Sequence, residues 1–281
     1  MSSVNPAILS GFHLELLPLL FQHCRSLFAG SHLPSHDHYH HLRVWNYAMD
    51  LLSELWGNGI KLNENDISLL MLATFFHDTG LTKTLDKDHG TESHLLCQDF
   101  LNRNPSLFPF DVSPALHAIE LHDKKEPQLP FGGNHCMDIL PILSVCDDAD
   151  AYGPAGVLRY AEIYLLRGIT VDALPDRVLK NMAYRFNFLL AQKWIPEKFM
   201  LRHHARYRYA EKYYKAIKEN RELGKKDTVR FEIIDSYMKQ VYYGNTGFME
   251  FAASLNESTD KTKNDFGSKL FAELQQTMAI S

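Results

Sequence analysis

A long apolar stretch runs from Ile67 to Phe76, with the sequence Ile-Ser-Leu-Leu-Met-Leu-Ala-Thr-Phe-Phe. A segment that is apolar on every side predicts a buried helix, because a surface helix keeps one polar face. His77 and Asp78 follow this stretch directly, and Gly80 stands where a helix C-cap glycine would sit. The pattern therefore places a histidine and a carboxylate side by side at the end of a core helix.

Helix signals recur along the rest of the chain, whereas no convincing alternating strand pattern is found. We expect Asn65 or Asp66 to cap the buried helix, which is predicted to run to Asp78. Residues 123–135 are predicted to form a loop, and the polar tail 256–268 to be mobile before a weak helix at 265–278. Apolar periodicity bounded by Gly, Pro or polar caps predicts further helices. They span residues 12–29, 39–56, 89–103, 114–122, 137–150, 153–168, 175–194, 197–222 and 228–243.

These elements predict an all-α fold. The composition shifts near residue 154, where histidines thin out and Tyr, Arg and Lys become more frequent. No flexible linker accompanies the shift. We therefore expect one unit with two parts: a helical core over residues 1–165 and a helical extension over residues 166–281 that packs on the core and does not fold independently. The Tyr- and Phe-rich extension offers apolar surface for a homodimer.

Composition narrows the class of protein. The 281 residues are 45% hydrophobic and carry a net charge of -5, so nothing suggests bulk nucleic-acid binding or attraction to an acidic membrane. The run Arg202–Lys215 is basic and aromatic, but it is better interpreted as an amphipathic helix than as a nucleic-acid surface. With no membrane-span candidate, no signal-peptide pattern and four cysteines lacking CxxC spacing, a soluble cytoplasmic protein is expected.

Candidate metal ligands stand at the ends of the predicted helices. A buried carboxylate without a partner is costly, and a metal ion satisfies a carboxylate and an imidazole together. Imidazole and carboxylate donors converging from several helices suit Mn, Fe, Co, Ni, Zn or Mg. The candidates lie in the histidine-rich segment 37–44, at His77 and Asp78, at His89 and His122, and at Asp147 and Asp148.

The order of these residues resembles the HD-domain superfamily of metal-dependent phosphohydrolases. Three motifs carry the resemblance, which covers residues 36–165. They are Asp37-x-x-His40-x-x-Arg43-Val44, Phe75-Phe76-His77-Asp78-Thr79-Gly80 and Asp147-Asp148-Ala149-Asp150-Ala151-Tyr152-Gly153. The family implies an HD-type helical bundle in which His40, His77, Asp78 and Asp147 bind a divalent metal.

Some members of the superfamily carry two further histidines that bind a second metal. His89 and His122 stand in the corresponding places, so the resemblance implies one or two ions, with Asp78 as the bridge. Three aspartates compete for the last ligand position, and alignment on Gly153 favours Asp147. Asp148 is then expected in a salt bridge, and Asp150 as a carboxylate that supports the site or orients water.

The resemblance implies hydrolysis of a phosphate ester or phosphoanhydride in a small, nucleotide-like molecule by metal-activated water. Asp78 would bridge the metals or orient that water. Arg43, Lys83 or Lys124 would neutralise phosphoryl charge, although Arg43 has a structural salt bridge as its alternative. Arg159 is a weaker candidate for phosphate binding. Two other functions remain open: an HD-fold di-iron oxygenase, and a non-catalytic nucleotide-binding or regulatory domain.

Overall fold

The computed structural model describes residues 8–125, 138–223 and 228–278. Within these ranges the chain is helical and contains no strand, which confirms the all-α prediction. A 3-10 helix, Thr79–Thr82, follows α3, and a π-helical turn, Met238–Tyr242, follows α10. The α-helices of the described residues are α1 Gly11–Phe28, α2 His38–Gly57, α3 Glu64–Phe76, α4 His89–Arg103, α5 Ser113–Leu121, α6 Ile139–Asp150, α7 Gly153–Leu166, α8 Leu174–Ala191, α9 Glu197–Glu222, α10 Thr228–Tyr237, α11 Phe248–Asn256 and α12 Lys261–Met278.

The chain divides into two compact units. The first is drawn from Met1–Ser31, Asp37–Ala149 and Phe188–Met200, and the second from the remaining residues. This division describes which residues pack together and does not test which parts fold independently. We predicted a core of residues 1–165 and an extension of residues 166–281 that does not fold by itself. That separation stays a prediction.

Helix α3 lies at the centre of the first unit. Every residue from Asp66 to Phe76 is buried, and α3 packs against α1, α2, α4 and α5. Burying one Leu or Phe side chain contributes about 1.5–3 kcal/mol, so this helix anchors the core. The burial confirms the helix predicted from the apolar stretch. Because its end lies in the interior, α3 delivers His77 and Asp78 to a position away from water.

The start of α3 differs from the expectation. The helix begins at Glu64, and the side chain of Asn63 caps it by accepting a hydrogen bond of 2.9 Å from the backbone N–H of Asp66. The expected cap at Asn65 or Asp66 is therefore wrong. Four consecutive polar residues precede the apolar run, and three of them are good cap residues. The apolar pattern could not choose among them.

Gly80 has a different role from the predicted helix cap. It lies inside the 3-10 helix, and its backbone is not in the left-handed region. A Cβ atom at this position would lie 2.0 Å from the carbonyl oxygen of His89. The backbone N–H of Gly80 also donates to the Ser93 hydroxyl at 2.7 Å. The glycine thus permits α4 to approach the residues that follow α3.

In the second unit, α12 packs against α7, α10 and α11. A Cβ at Gly267 would lie 2.3 Å from the backbone nitrogen of Asn256, so α11 and α12 are in close contact. The prediction of a mobile tail over residues 256–268 is therefore wrong. These residues form the turn between two packed helices and the beginning of α12. The polar composition of the segment reflects its exposed face, and α11 was missed because only nine residues form it.

Some expectations fall outside the described ranges. Only residues 123–125 of the predicted loop 123–135 are described, and Cys136 is not described. The other three cysteines are free and buried. None of the helices in the described parts of the chain has the length and apolar character that a membrane span requires.

Candidate metal centre

Six side chains from the ends of five helices meet inside the first unit. His40 lies in the first turn of α2, and His77 and Asp78 follow the last residue of α3. His89 is the first residue of α4, His122 follows the last residue of α5, and Asp147 lies in the last turn of α6. Each of the six is at most 5% exposed. The structure therefore brings together all the residues that the sequence predicted as metal ligands.

Four of these residues form one group. The ligand atoms of His40, His77, Asp78 and Asp147 lie within 4.8 Å of one another. The Nε2 atoms of His40 and His77 are 3.1 Å apart. His40 Nε2 lies 3.3 Å from Asp78 Oδ2, and both imidazoles lie 3.7 Å from Asp147 Oδ1. Two nitrogen and two oxygen donors thus surround one point.

A second group shares Asp78 with the first. His122 Nε2 lies 3.1 Å and His89 Nε2 lies 3.4 Å from the same oxygen, Asp78 Oδ1. The other oxygen, Oδ2, faces His40 and His77 at 3.3 and 3.8 Å. The two oxygens of one carboxylate are therefore divided between the two groups. This is the arrangement expected of a carboxylate that joins two cation sites.

Backbone carbonyls orient the imidazoles of His77, His89 and His122. In each case Nδ1 lies 2.8–2.9 Å from the carbonyl oxygen three residues earlier, namely Thr74 for His77, Asp86 for His89 and Ile119 for His122. A carbonyl only accepts, so Nδ1 carries the proton in each ring. When the ring is neutral, its Nε2 atom presents a lone pair to the centre; when the ring is protonated, the Nε2 atom donates to a carboxylate there. Metal-binding histidines are commonly oriented by such hydrogen bonds.

The electrostatics of the centre favour positive charge. Burial disfavours the ionised form of Asp78, but His77 and hydrogen bonds from His122, His40 and His89 hold the pKa of this carboxyl well below its usual range. Burial likewise opposes protonation of His89, but Asp78 and the nearby Asp123 raise its pKa to about 9. The pKa of His77 is also raised, since Asp78 and Asp147 outweigh its burial. The field that attracts protons here also attracts a metal cation.

The donor set fits a divalent metal. Nitrogen and oxygen ligands bound at about 2.1 Å in tetrahedral or octahedral geometry lie about 3.0–3.4 Å apart. The closest separations in the two groups, 3.1 Å in each, fall in this range. A divalent cation between His40 and His77 would accept the Nε2 lone pairs of both rings and satisfy the buried carboxylates.

The comparison with protein families agrees with this geometry. Residues 38–155 match the family model of the HD domain. These residues are an HD domain. HD domains make up a superfamily of metal-dependent phosphohydrolases, and the matched range of this HD domain contains all six side chains of the centre. No curated protein and no solved structure matches the chain.

The three residues expected to neutralise phosphoryl charge differ in their exposure to solvent. Lys83 and Lys124 are exposed, whereas Arg43 is buried and only 2% exposed. The burial of Arg43 favours the structural role that was its alternative. The roles of the two lysines stay predictions.

The three competing aspartates lie in different surroundings. Asp147 is the one whose oxygen belongs to the four-residue group. Asp148 forms a buried ion pair of 3.0 Å with Lys125. Asp150 belongs to the second unit, where it pairs with Arg159 at 3.1 Å. This ion pair engages the Arg159 guanidinium that was a candidate for phosphate binding.

Sequence reasoning overlooked two residues that closely follow His122, namely Asp123 and Lys125. Asp123 lies 3.4 Å from His89 Nε2 with its side chain 41% exposed, and with His122 and Asp147 it forms a third possible ligand group. The side chain of Lys125 is 1% exposed. In the sequence, Asp123-Lys124-Lys125 has the composition of a solvated surface turn. The one available signal was that Lys125 follows His122 by three residues, close to one helical turn.

Proposed function

We propose that this protein is a metal-dependent phosphohydrolase that uses two divalent ions to hydrolyse a phosphate ester or phosphoanhydride in a small, nucleotide-like molecule. His40, His77 and Asp147 would hold one ion, His89 and His122 would hold the other, and Asp78 would bridge them. Such ions lower the pKa of a bound water and neutralise phosphoryl oxygens.

One observation carries the proposal. Asp78 directs Oδ2 at His40 and His77 and directs Oδ1 at His89 and His122. If Asp78 bound a single ion at Oδ2, His89 and His122 would be buried beside Oδ1 with no ion to bind. As neutral rings whose Nδ1 atoms donate to backbone carbonyls, His89 and His122 would each direct a buried Nε2 lone pair at a carboxylate oxygen, which is unfavourable. A metal ion held by both rings would satisfy these lone pairs.

The protein side chains then have distinct roles. Asp78 stays ionised because its neighbours hold its pKa low, so it is available as a bridge over the whole neutral range. The carbonyls of Thr74, Asp86 and Ile119 keep three imidazoles in the tautomer that presents Nε2. Lys83 and Lys124 are exposed and are the cations we expect to attract the phosphate group.

The test begins with elemental analysis of protein purified without a chelator. We expect two divalent ions per chain. Hydrolysis is then measured with Mn²⁺ present on a panel of nucleoside monophosphates, cyclic nucleotides, dinucleoside polyphosphates and nucleoside triphosphates. At least one class should release product. Asp78→Asn should lower the rate more than about 100-fold, since changes at residues that merely support a ligand already cost 10–100-fold.

Asp66→Asn is the matched control. Like Asp78, Asp66 is a buried aspartate, but it lies in the first turn of α3 and about 16 Å of helix separates it from His77. This variant should keep both ions and its activity. Oxygen consumption by the iron-loaded protein, without hydrolysis of any phosphate compound, would instead establish the oxygenase alternative. Protein that binds no metal and catalyses neither reaction would point to a regulatory domain and refute the proposal.

A further inference from the structure

The first unit contains a buried lysine that the proposed reaction does not use. The side chains of Lys125 and Asp148 are 1% and 0% exposed, and their charged atoms are 3.0 Å apart. Removing one partner of such a buried pair leaves an uncompensated charge, so the pair constrains the chain strongly. Its position is informative because Lys125 follows His122 by three residues and Asp148 follows Asp147 directly.

The lysine ammonium group is fully engaged by protein oxygens. Besides Asp148, its Nζ atom lies 3.1 Å from the carbonyl oxygen of His122 and 3.5 Å from that of Ser144. An ammonium group has three donors, and three oxygens match them. The ring of Phe188 lies on another side, with its centroid 5.6 Å from Nζ. Lys125 is therefore placed to hold protein groups rather than a phosphate.

The group held most firmly is the backbone of His122. Its carbonyl lies at the end of α5, where carbonyls lack helical partners. It accepts hydrogen bonds from the Ser144 hydroxyl at 2.8 Å and from Lys125 Nζ. Ser144 and Asp148 are one turn apart on α6, the helix that also carries Asp147. Two contacts thus fix the backbone of His122 to α6.

We propose that Lys125, Ser144 and Asp148 form a clamp that positions His122 for the second ion, and that occupancy of the second site depends on this clamp. This inference rests on the two-metal centre of the proposed function. The clamp contacts His122 of the second group directly. It reaches Asp147 of the first group only along helix α6, because Asp148 follows Asp147 in the sequence. The clamp should therefore affect the second ion much more than the first.

The experiment compares the affinities of the two sites. In Lys125→Met/Asp148→Asn the ammonium and its counter-charge are removed together, so no unpaired charge is buried. Mn²⁺ binding is followed by calorimetry, and electron paramagnetic resonance detects the spin-coupled pair. We expect first-ion affinity within about threefold of wild type and second-ion affinity reduced about 10–100-fold, with loss of the coupled signal. Ser144→Ala should shift the second site in the same direction, and it carries the test if the double variant does not fold.

Lys218→Met is the matched control. Lys218 pairs with Asp176 at 2.7 Å, but it is 38% exposed and lies in the second unit. Its loss should leave both affinities unchanged. The inference is overturned if the clamp variants bind both ions as wild type does, if both sites weaken equally, or if wild type binds only one ion. Wild type that binds two ions but hydrolyses no phosphate compound would refute the proposed reaction and leave the clamp open to the same comparison.

Discussion

Replacing Gly90 with alanine should disturb the second ligand group selectively. Gly90 follows His89 in α4, and a Cβ atom there would lie 2.7 Å from the carbonyl oxygen of Glu120 in α5. This is about 0.7 Å short of the 3.4 Å at which ordinary van der Waals contact begins. The obstructing atom is backbone, so no side-chain rotation relieves the clash. Helices α4 and α5 must separate.

The size of the effect follows from two opposing terms. Overpacking of a close contact costs about 1–3 kcal/mol. Alanine recovers up to about 1 kcal/mol because its helix propensity exceeds that of glycine. We therefore expect a net loss of about 1–2 kcal/mol in the free energy of unfolding. The effect on binding of the second ion should be larger, because metal–ligand distances vary by only about 0.2 Å. His89 begins α4 and His122 follows α5, so the two imidazoles move apart with these helices.

Urea unfolding and Mn²⁺ titration measure the two effects on the same protein. Gly11→Ala is the control, since Gly11 opens α1 and a Cβ atom there would meet nothing within 4 Å. It reports the propensity gain without the clash. The second ion should bind at least tenfold more weakly to Gly90→Ala, and the first ion nearly as in wild type. A Gly90→Ala protein as stable as Gly11→Ala, with two sites of unchanged affinity, would show that the α4–α5 contact does not set the geometry.

Three further outcomes are expected. Removal of metal with a chelator should lower the melting temperature, and Mn²⁺ should restore it, because an ion at 100 times its dissociation constant stabilises the fold by about 2.7 kcal/mol; a melting curve insensitive to both would contradict the centre. Ser93→Ala should cost about 1–3 kcal/mol in urea unfolding, since it leaves the buried N–H of Gly80 without its acceptor. Tyr237→Phe should cost about 1.5–3 kcal/mol, because the phenol donates at 2.5 Å to the buried carboxylate of Glu162. Tyr243→Phe, at a residue that is 74% exposed, should be neutral in the same assay.

The sequence was most informative where local pattern and local structure coincide. The predicted helix 89–103 is found as His89–Arg103. The apolar stretch before His77 predicted a buried helix because it has no polar face. The structure confirms this burial in α3. Candidate ligands at helix ends were recognisable because histidine and aspartate interrupt apolar runs only where something compensates them.

What the sequence could not predict depends on partners far along the chain. Lys124 and Lys125 are identical in type and adjacent, yet one is exposed and the other is buried against Asp148. Their only local difference is the spacing of Lys125 from His122, and this does not predict burial, since the burial of Lys125 requires α6 to pack beside the end of α5. The orientation of the Asp78 carboxylate is similarly decided by four imidazoles from four separate segments. The sequence shows that Gly80 and Gly90 are glycines, but it does not show which backbone segments lie against them.

The charges of the centre connect its geometry to the kind of substrate. The six side chains include two carboxylates, Asp78 and Asp147, and four imidazoles that are neutral when they bind metal. One divalent ion would balance the charge of the two carboxylates and leave the centre without net positive charge. Two divalent ions leave the centre positive, even when the partly exposed Asp123 is included as a third carboxylate. A phosphate group carries up to two negative charges near neutral pH and supplies the missing balance. The division of the Asp78 oxygens between two groups therefore supports a phosphorylated substrate as well as a second metal, because a two-ion centre would attract that substrate more strongly than a one-ion centre.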